Sequence, residues 1–266
     1  MGRILWTAAA VAVALTLALS ASPASAQNVG WGKPDVAPLE SGTQVTSYID
    51  SGEKLYEMKW KLTNNDGALT WSMEGRNFET GDKLVTWTES MAAKLTDKGV
   101  EPQSWSKESS GAEQMKWTLR YNWAAKTADY TFEDRATGKK EARTIKLPDD
   151  ALAADAMPFS LRAFPFEKGE GYSEKVRVVN TDSQVMGAEL INRGVETRKT
   201  PMGEFEAYKL ELNITGLIGV VAPKMYFWYT KAEPHTWLGF EGKDGGLTEG
   251  RTINALHVYA PVDRLK

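Results

Sequence analysis

Any chemistry in this 266-residue chain has to be assembled from few residue types. There is no Cys, which excludes disulfides, thiolate metal sites, thiol nucleophiles and an acylated N-terminal Cys. The two histidines, His235 and His257, fall in different predicted strands or strand edges, and only Glu233 stands close by as an acidic partner. His235 reads as a turn residue after Pro234, and His257 as a residue within the last strand. A zinc site draws on about three or more protein ligands, so no metal ligand is assigned. Hydrolysis needs a nucleophile, a base and an oxyanion donor brought together; no Gly-x-Ser-x-Gly elbow occurs. Glu206, Glu211, Asp129 and Glu133 lie on predicted strands, but on faces that read as solvent-facing. Two carboxylates flanking a groove can do glycosidase chemistry, which keeps an envelope hydrolase with an unrecognised carboxylate site as an alternative. No catalytic residue and no cofactor is expected, and the chain reads as a non-enzyme.

Aromatic residues carry a stronger pattern. Nine of the ten Trp lie after Ala26, and Trp60, Trp71, Trp117, Tyr121, Trp123 and Trp228 fall on the apolar faces of predicted strands. A curved antiparallel sheet lined with Trp, Tyr and Met can form the concave wall of a pocket for an acyl chain or other apolar ligand, and these six are the ligand-binding candidates. The same stripe also suits a packed barrel or sandwich core, since aromatics bury large areas.

The elements that would position them are strands. Tyr56, Met58, Trp60 and Leu62 alternate with charged residues, and Leu69, Trp71 and Met73 alternate with polar ones. Asn64-Asn65-Asp66-Gly67 between them is a hairpin signal, because Asp and Gly tolerate positive φ. Leu84–Glu89 gives a further strand, and Ser90–Gly99 has weak helical or loop character. The cleanest alternation runs from Gln114 to Trp123, with Met115, Trp117, Leu119, Tyr121 and Trp123 on one face, as in a sheet covered on one side. Ala128–Phe132 and Glu141–Leu147 follow. Pro148-Asp149-Asp150 then offers capping and acidic first-turn residues before Ala151–Ala163, predicted to be the one amphipathic helix, broken near Pro158. Further strands are predicted over Ser173–Val179, Gln184–Asn192, Val195–Lys199, Tyr208–Ile214, Met225–Tyr229, Thr236–Glu241 and Thr252–Tyr259. The expected fold is mainly β: an antiparallel, strongly curved sheet or partly open β-barrel with one amphipathic helix.

In Thr200-Pro201-Met202-Gly203, Pro and Gly stand where a tight turn wants them. The turn leads into the alternating strand through Ile214, a Gly-rich connection ending at Pro223, an aromatic Met225–Tyr229 strand and the segment Glu233-Pro234-His235. This arrangement resembles the exported bacterial family catalogued as domain of unknown function 3108. The resemblance is best over Thr200–Gly242 and looser over Leu147–Phe166. It implies a periplasmic, β-rich, barrel-like protein, akin to lipoprotein carriers, and brings no catalytic residue with it.

Met1–Ala26 has one basic residue, Arg3, an apolar run from Ile4 to Leu19 and then Ala24-Ser25-Ala26, the order of a cleavable signal peptide. Cleavage is expected after Ala26, with export to the periplasm. The apolar run is shorter than the roughly 20 residues of a spanning helix. The remaining 240 residues carry 31 basic against 35 acidic residues, without a basic run, so nucleic acid is not an expected partner. Gln27–Gly42 reads as an extended N-terminal arm and residues 43–266 as a single β-rich domain. An outer-membrane barrel fits less well, because the predicted strands are uneven and the chain ends in Arg264-Leu265-Lys266 rather than on an aromatic residue. Binding of an apolar or amphipathic small molecule, such as a lipid or acyl chain, is therefore expected. The alternative is an envelope structural or assembly factor that holds a protein partner.

Overall fold

The structure is a computed structural model and describes residues 29–216, 222–243 and 250–260; the expected signal peptide, most of the Gly-rich connection before Pro223 and the chain's last residues lie outside these. The first eight strands are β1 (Leu39–Tyr48), β2 (Lys54–Asn65), β3 (Ala68–Asn77), β4 (Val85–Thr96), β5 (Gly99–Gly111), β6 (Met115–Asn122), β7 (Thr127–Asp134) and β8 (Lys140–Lys146). They form one antiparallel meander. A second run comprises β9 (Ala151–Ala153), β10 (Ser173–Val179), β11 (Val185–Thr200), β12 (Gly203–Ile214), β13 (Met225–Thr230), β14 (Trp237–Lys243) and β15 (Thr252–Ala260). Pairing of β1 with β15 joins the runs into one 15-stranded sheet whose edges are β8 and β9. Among the described strands only the β9–β10 pair is parallel.

The sheet is not closed by hydrogen bonds, yet it must curl. Residues 147–150 alone connect one edge to the other, and that connection brings Lys146 and Ala151 within roughly 18 Å at full extension. Asp149 of the connection pairs with Lys126, and Asp150 pairs with Arg177. The result is the partly open, barrel-like sheet expected from the alternation. Where β1 crosses the seam, Gly42 has no room for a side chain: a Cβ would lie 2.1 Å from the Val258 carbonyl oxygen and 2.9 Å from the Trp60 ring.

Several elements differ from their sequence-based expectation. Residues 151–163 do not form an amphipathic helix. Ala151–Ala153 instead extend the sheet edge alongside Arg177–Val179, where they satisfy open backbone groups of β10. Pro158 lacks the N–H that a continuous helix would need, and it sits in the first turn of a four-residue helix, α1 (Met157–Ser160). Short 3₁₀ turns follow at Leu161–Ala163 and Phe166–Lys168. Ser90–Gly99, read as helix or loop, belongs mostly to β4; Met91 faces Trp71 on one side and Trp105 on the other, and this pairing outweighs the helix preference of the Met-Ala-Ala-Lys-Leu run. Of the predicted arm, the last residues already belong to β1, Val36 is buried, and the Trp31 indole N–H donates to Glu174 Oε2 at 2.6 Å.

The segment 154–168 occupies the concavity from Ala154 to Phe166, with Glu167 and Lys168 exposed at its end. Ala156 and Phe159 pack into the core of the first strand run, with Met58, Trp60, Leu62, Leu69 and Met91. Met157, Leu161, Phe164 and Phe166 pack into that of the second run, with Val176, Leu190, Leu210 and Phe227. Arg162 anchors the segment: its guanidinium donates two bonds of 2.8 Å to both carboxylate oxygens of Glu40 on β1, and both side chains are buried. The Tyr229 hydroxyl adds a 3.1 Å bond to the Pro158 carbonyl oxygen. On the outer surface Arg198 of β11 reaches Glu241 of β14 and Asn254 of β15. Trp228 and Leu238 are buried on this side with Ala207, Met202 and Phe205 around them. Glu211, read as solvent-facing, is buried on the same side and held by Arg193 at 2.8 Å and Lys224 at 3.0 Å. Against the opposing effect of burial, these two cations keep its carboxyl below the usual range.

Removing one partner of a buried ion pair leaves an uncompensated charge. Arg162→Met should therefore lower the unfolding free energy in urea by about 3–5 kcal/mol, and adding Glu40→Gln should recover part of that loss. A loss below about 1 kcal/mol, the scale of an exposed pair, contradicts this anchoring role.

Candidate functional site

The register of β2 to β6 builds one wall of the concavity in two cross-strand rows. One row reads Trp117, Lys107, Glu89, Met73, Trp60, and the next Leu119, Trp105, Met91, Trp71, Leu62. Period-two alternation directs both rows to the same face, so Glu89 and Lys107 stand opposite each other among aromatic rings. Between this wall and the 154–168 segment lies a cleft of about 820 Å³, lined by Trp71, Glu89, Trp105, Lys107, Trp117 and Asp155 and bounded by Thr181, Asp182 and Trp237.

The polar groups of the cleft are only partly satisfied. The Trp105 indole N–H donates to Glu89 Oε1 at 2.8 Å. The Tyr121 hydroxyl donates to Asp155 Oδ1 at 3.0 Å, while Asp155 Oδ2 is buried without a hydrogen-bond partner. Burial pushes both carboxyls upward. Glu89 is raised despite the opposing charge of Lys107 and the bond from Trp105. Asp155 is raised to about 7, with the charge of Glu89 adding to the effect of burial. The Lys107 ammonium lies 5.3 Å from the Trp87 ring centre and 6.0 Å from that of Trp117, within cation–π range.

A second pocket, of about 350 Å³, opens on the other side of the same segment. It is apolar, with Met157, Met186, Leu212, Met225, Phe227 and Phe240 in its wall, and the two Phe rings are 5.0 Å apart. Gln44, Ala154, Pro158 and Trp237 line both spaces, so the polar cleft and the apolar pocket adjoin. A further depression, of about 650 Å³, has Glu57, Lys59, Glu74 and Arg76 in its wall, and its charges are partly paired at the surface, as in Arg76–Glu57.

The six aromatic residues singled out from the sequence are divided by the structure. Trp71 and Trp117 line the cleft. Trp60 is core, packed edge-on against Tyr259 at 4.9 Å. Tyr121 and Trp123 are buried and stacked 5.7 Å apart; Tyr121 serves the cleft only through its bond to Asp155, and the Trp123 indole N–H donates to the Pro102 carbonyl oxygen. Trp228 does not belong to the concave wall. Its neighbours Phe227 and Tyr229 face inward, and alternation turns Trp228 to the outer surface, where its N–H donates to Glu196 and Arg198 stacks 3.8 Å from its ring.

Sequence reasoning missed Trp105, Trp237, Glu89, Lys107 and Asp155. Glu89 was legible in principle, since it shares parity with Trp87 and Met91. Lys107 and Trp105 lie on β5, which Pro102 and several Ser residues disguise as a loop. For Asp155 the sequence holds no signal. His257 is buried beside Trp237 and Trp60, with neither ring nitrogen bonded. Burial, and then the charge of Arg162, lowers its pKa to about 3, so it is neutral. His235 locks a turn, with Nδ1 2.9 Å from the Thr230 carbonyl oxygen and Nε2 3.1 Å from Glu233. Among the described residues no group of three or more His, Cys, Asp or Glu is arranged to hold a metal, and no helix is long and apolar enough to cross a membrane.

A family model described as "Protein of unknown function (DUF3108)" matches residues 44–240, and the chain belongs to that family. No curated protein matches the chain. Among solved structures it is similar to a β-barrel-like protein of domain of unknown function DUF1849 from Brucella abortus, with a TM-score of 0.53 and 6% identity over 84% of this chain and 97% of that one. A Bacteroides fragilis protein described as having a YmcC-like fold gives a TM-score of 0.34 at 11% identity, covering 85% of this chain and 96% of that one. At such identities the first likeness speaks for the fold alone.

Two expectations follow from burial. Trp60→Ala should cost about 3–5 kcal/mol in chemical denaturation, as for a packed aromatic, and Trp117→Ala, at the cleft wall, clearly less; equal losses would place Trp117 in the core. The second concerns pH. Because the folded pKa of Asp155 is about 7 against an ordinary 3.8, the folded state holds a proton there that the unfolded chain has released. The group's contribution to stability is thus complete at low pH and lost as pH rises through about 7. His257 acts in the opposite sense, with stability present above 6.5 and lost as pH falls toward about 3. Comparing the wild type with Asp155→Asn isolates the first effect. The variant's stability relative to wild type should rise between these two Asp155 limits and then level off; a difference independent of pH contradicts the assignment.

Proposed function

We propose that this member of the DUF3108 family is a non-enzymatic binding protein for an amphipathic ligand, a lipid or another molecule carrying an acyl or alkyl chain, held in the concavity of its curved sheet. The observation that carries this reading is the adjacency of two unlike spaces across Ala154 and Pro158: an apolar, Met- and Phe-walled pocket of about 350 Å³ and a Trp-lined cleft of about 820 Å³ that contains charged groups. Both volumes fall in or near the range of small-molecule sites, and an apolar wall with a few convergent polar groups is their usual chemistry. Methionine suits a pocket that must adapt to a flexible chain, because its side chain is unbranched and polarisable. The charged, apolar and small-residue order of Met1–Ala26 supports export, so we place this binding in the periplasm.

The direct test is fluorescence titration of the protein with N-phenyl-1-naphthylamine. Saturable enhancement by the wild type, displaced by a medium-chain fatty acid or alcohol, is expected. Met186→Trp, which fills the apolar pocket from its partly exposed rim, should abolish it while the cooperative urea transition is retained. Uptake undiminished in a folded Met186→Trp protein, or no uptake by the wild type, contradicts the proposal.

A further inference from the structure

The charges around the cleft select among amphipathic ligands. Three carboxylates, those of Glu89, Asp155 and Asp182, border it against one ammonium, that of Lys107. Each has a different degree of internal satisfaction. Asp182 Oδ1 accepts from the Gln184 backbone N–H at 3.1 Å. Glu89 accepts from the Trp105 indole and faces Lys107 across the β4–β5 pair. Asp155 accepts two bonds at Oδ1, from the Tyr121 hydroxyl and the Ala156 backbone N–H, while its second oxygen is buried without a partner in a residue that lines the cleft. Asp155 itself is only 7% exposed. A buried carboxylate oxygen left unbonded is costly and calls for a donor. The nearby rings offer what a cation wants, because indole faces attract positive charge; Lys107 already lies against two of them, Trp87 and Trp117.

We propose that the cleft receives the cationic head group of the ligand, an alkylammonium, with Asp155 Oδ2 and Glu89 as its counter-charges, the faces of Trp71 and Trp117 beside it, and the alkyl chain in the adjoining apolar pocket. This rests on the amphipathic-ligand reading and narrows it to one chemical class. An anionic head group would meet three carboxylates and one ammonium already engaged with aromatic faces. A neutral one would leave the excess negative charge uncompensated. A bound cation also offsets the burial that raises the Asp155 carboxyl and stabilises its ionised form.

The experiment is isothermal titration of the full-length mature protein with three probes of equal chain length, decylammonium, decanol and decanoate. Each is kept below its micellar concentration, in low salt at about pH 8, where an alkylamine remains protonated. Decylammonium is expected to bind about tenfold or more tightly than decanol, the factor for one charge-assisted hydrogen bond, and decanoate weakest. Asp155→Asn should lower the decylammonium-to-decanol affinity ratio by about tenfold, the factor for one charge-assisted hydrogen bond. Lys107→Met, which deletes the competing cation, should strengthen decylammonium binding, a gain that a purely structural role of Lys107 does not give. If decanol and decanoate bind as tightly as decylammonium, the cationic preference is overturned and the amphipathic reading survives. If none of the three binds, both are overturned.

Discussion

The bidentate pair between Arg162 and Glu40 is the constraint on which the interior depends. An open sheet of fifteen strands encloses a space wider than its own side chains fill, and this chain fills the centre with residues 154–168. The segment has little regular structure of its own, with one four-residue helix and two 3₁₀ turns. Its position is set by tertiary bonds. Arg162 fixes the middle of the segment to the first strand at Glu40, which lies opposite Leu62 of β2, and Tyr229 and Tyr121 fix the stretch from Asp155 to Pro158 from opposite walls. Because Glu40 and Arg162 are buried, their attraction is little screened, and the five donors of the guanidinium give it direction as well as strength.

From that anchoring follows the division of the interior. With Phe159 turned toward one half of the sheet and Met157, Leu161, Phe164 and Phe166 toward the other, the segment closes most of the concavity and leaves two spaces that share a wall at Ala154 and Pro158. The half built from β2 to β6 contributes Trp rings with Glu89 and Lys107. The half built from β10 to β14 contributes Met and Phe. The amphipathic character of the site thus comes from the two strand runs having different inward-facing residues, with Asp155 contributed by the segment between them.

Much of the fold is legible in the sequence because strand periodicity is local. The Asn64–Gly67 hairpin, with Asp66 and Gly67 at positive φ, the long alternation through Trp117 and Tyr121, and the Thr200–Gly203 turn all stand where the residue types place them. What failed was of a different kind. The residues 151–163 have helical spacing, but an open sheet edge and Pro158 compete with the helix, and only tertiary structure decides such a contest. β5 is hidden by Pro102, which strand reasoning treats as a breaker although its carbonyl oxygen serves as the acceptor for Trp123. Of the six aromatic residues singled out from the sequence, Trp71 and Trp117 line the cleft, whereas Trp228 lies on the outer side of the sheet. Alternation tells which residues share a face of one strand; that Trp228 of β13 is covered on the outer side depends on Arg198 and Glu196 of β11, two strands away in the sheet. Asp155 acquires its environment from contacts distant in sequence, with Tyr121 and Glu89, and no local pattern announces it.

The central claim is that the divided concavity holds an amphipathic molecule. Native mass spectrometry of the protein, isolated from its producing cells without detergent and followed by denaturation and solvent extraction, tests it most directly. The account predicts an adduct mass on the folded protein that disappears on denaturation and is recovered in the organic phase. A folded protein with only its sequence mass, which also gains no adduct when incubated with alkyl-chain amphiphiles, would contradict it.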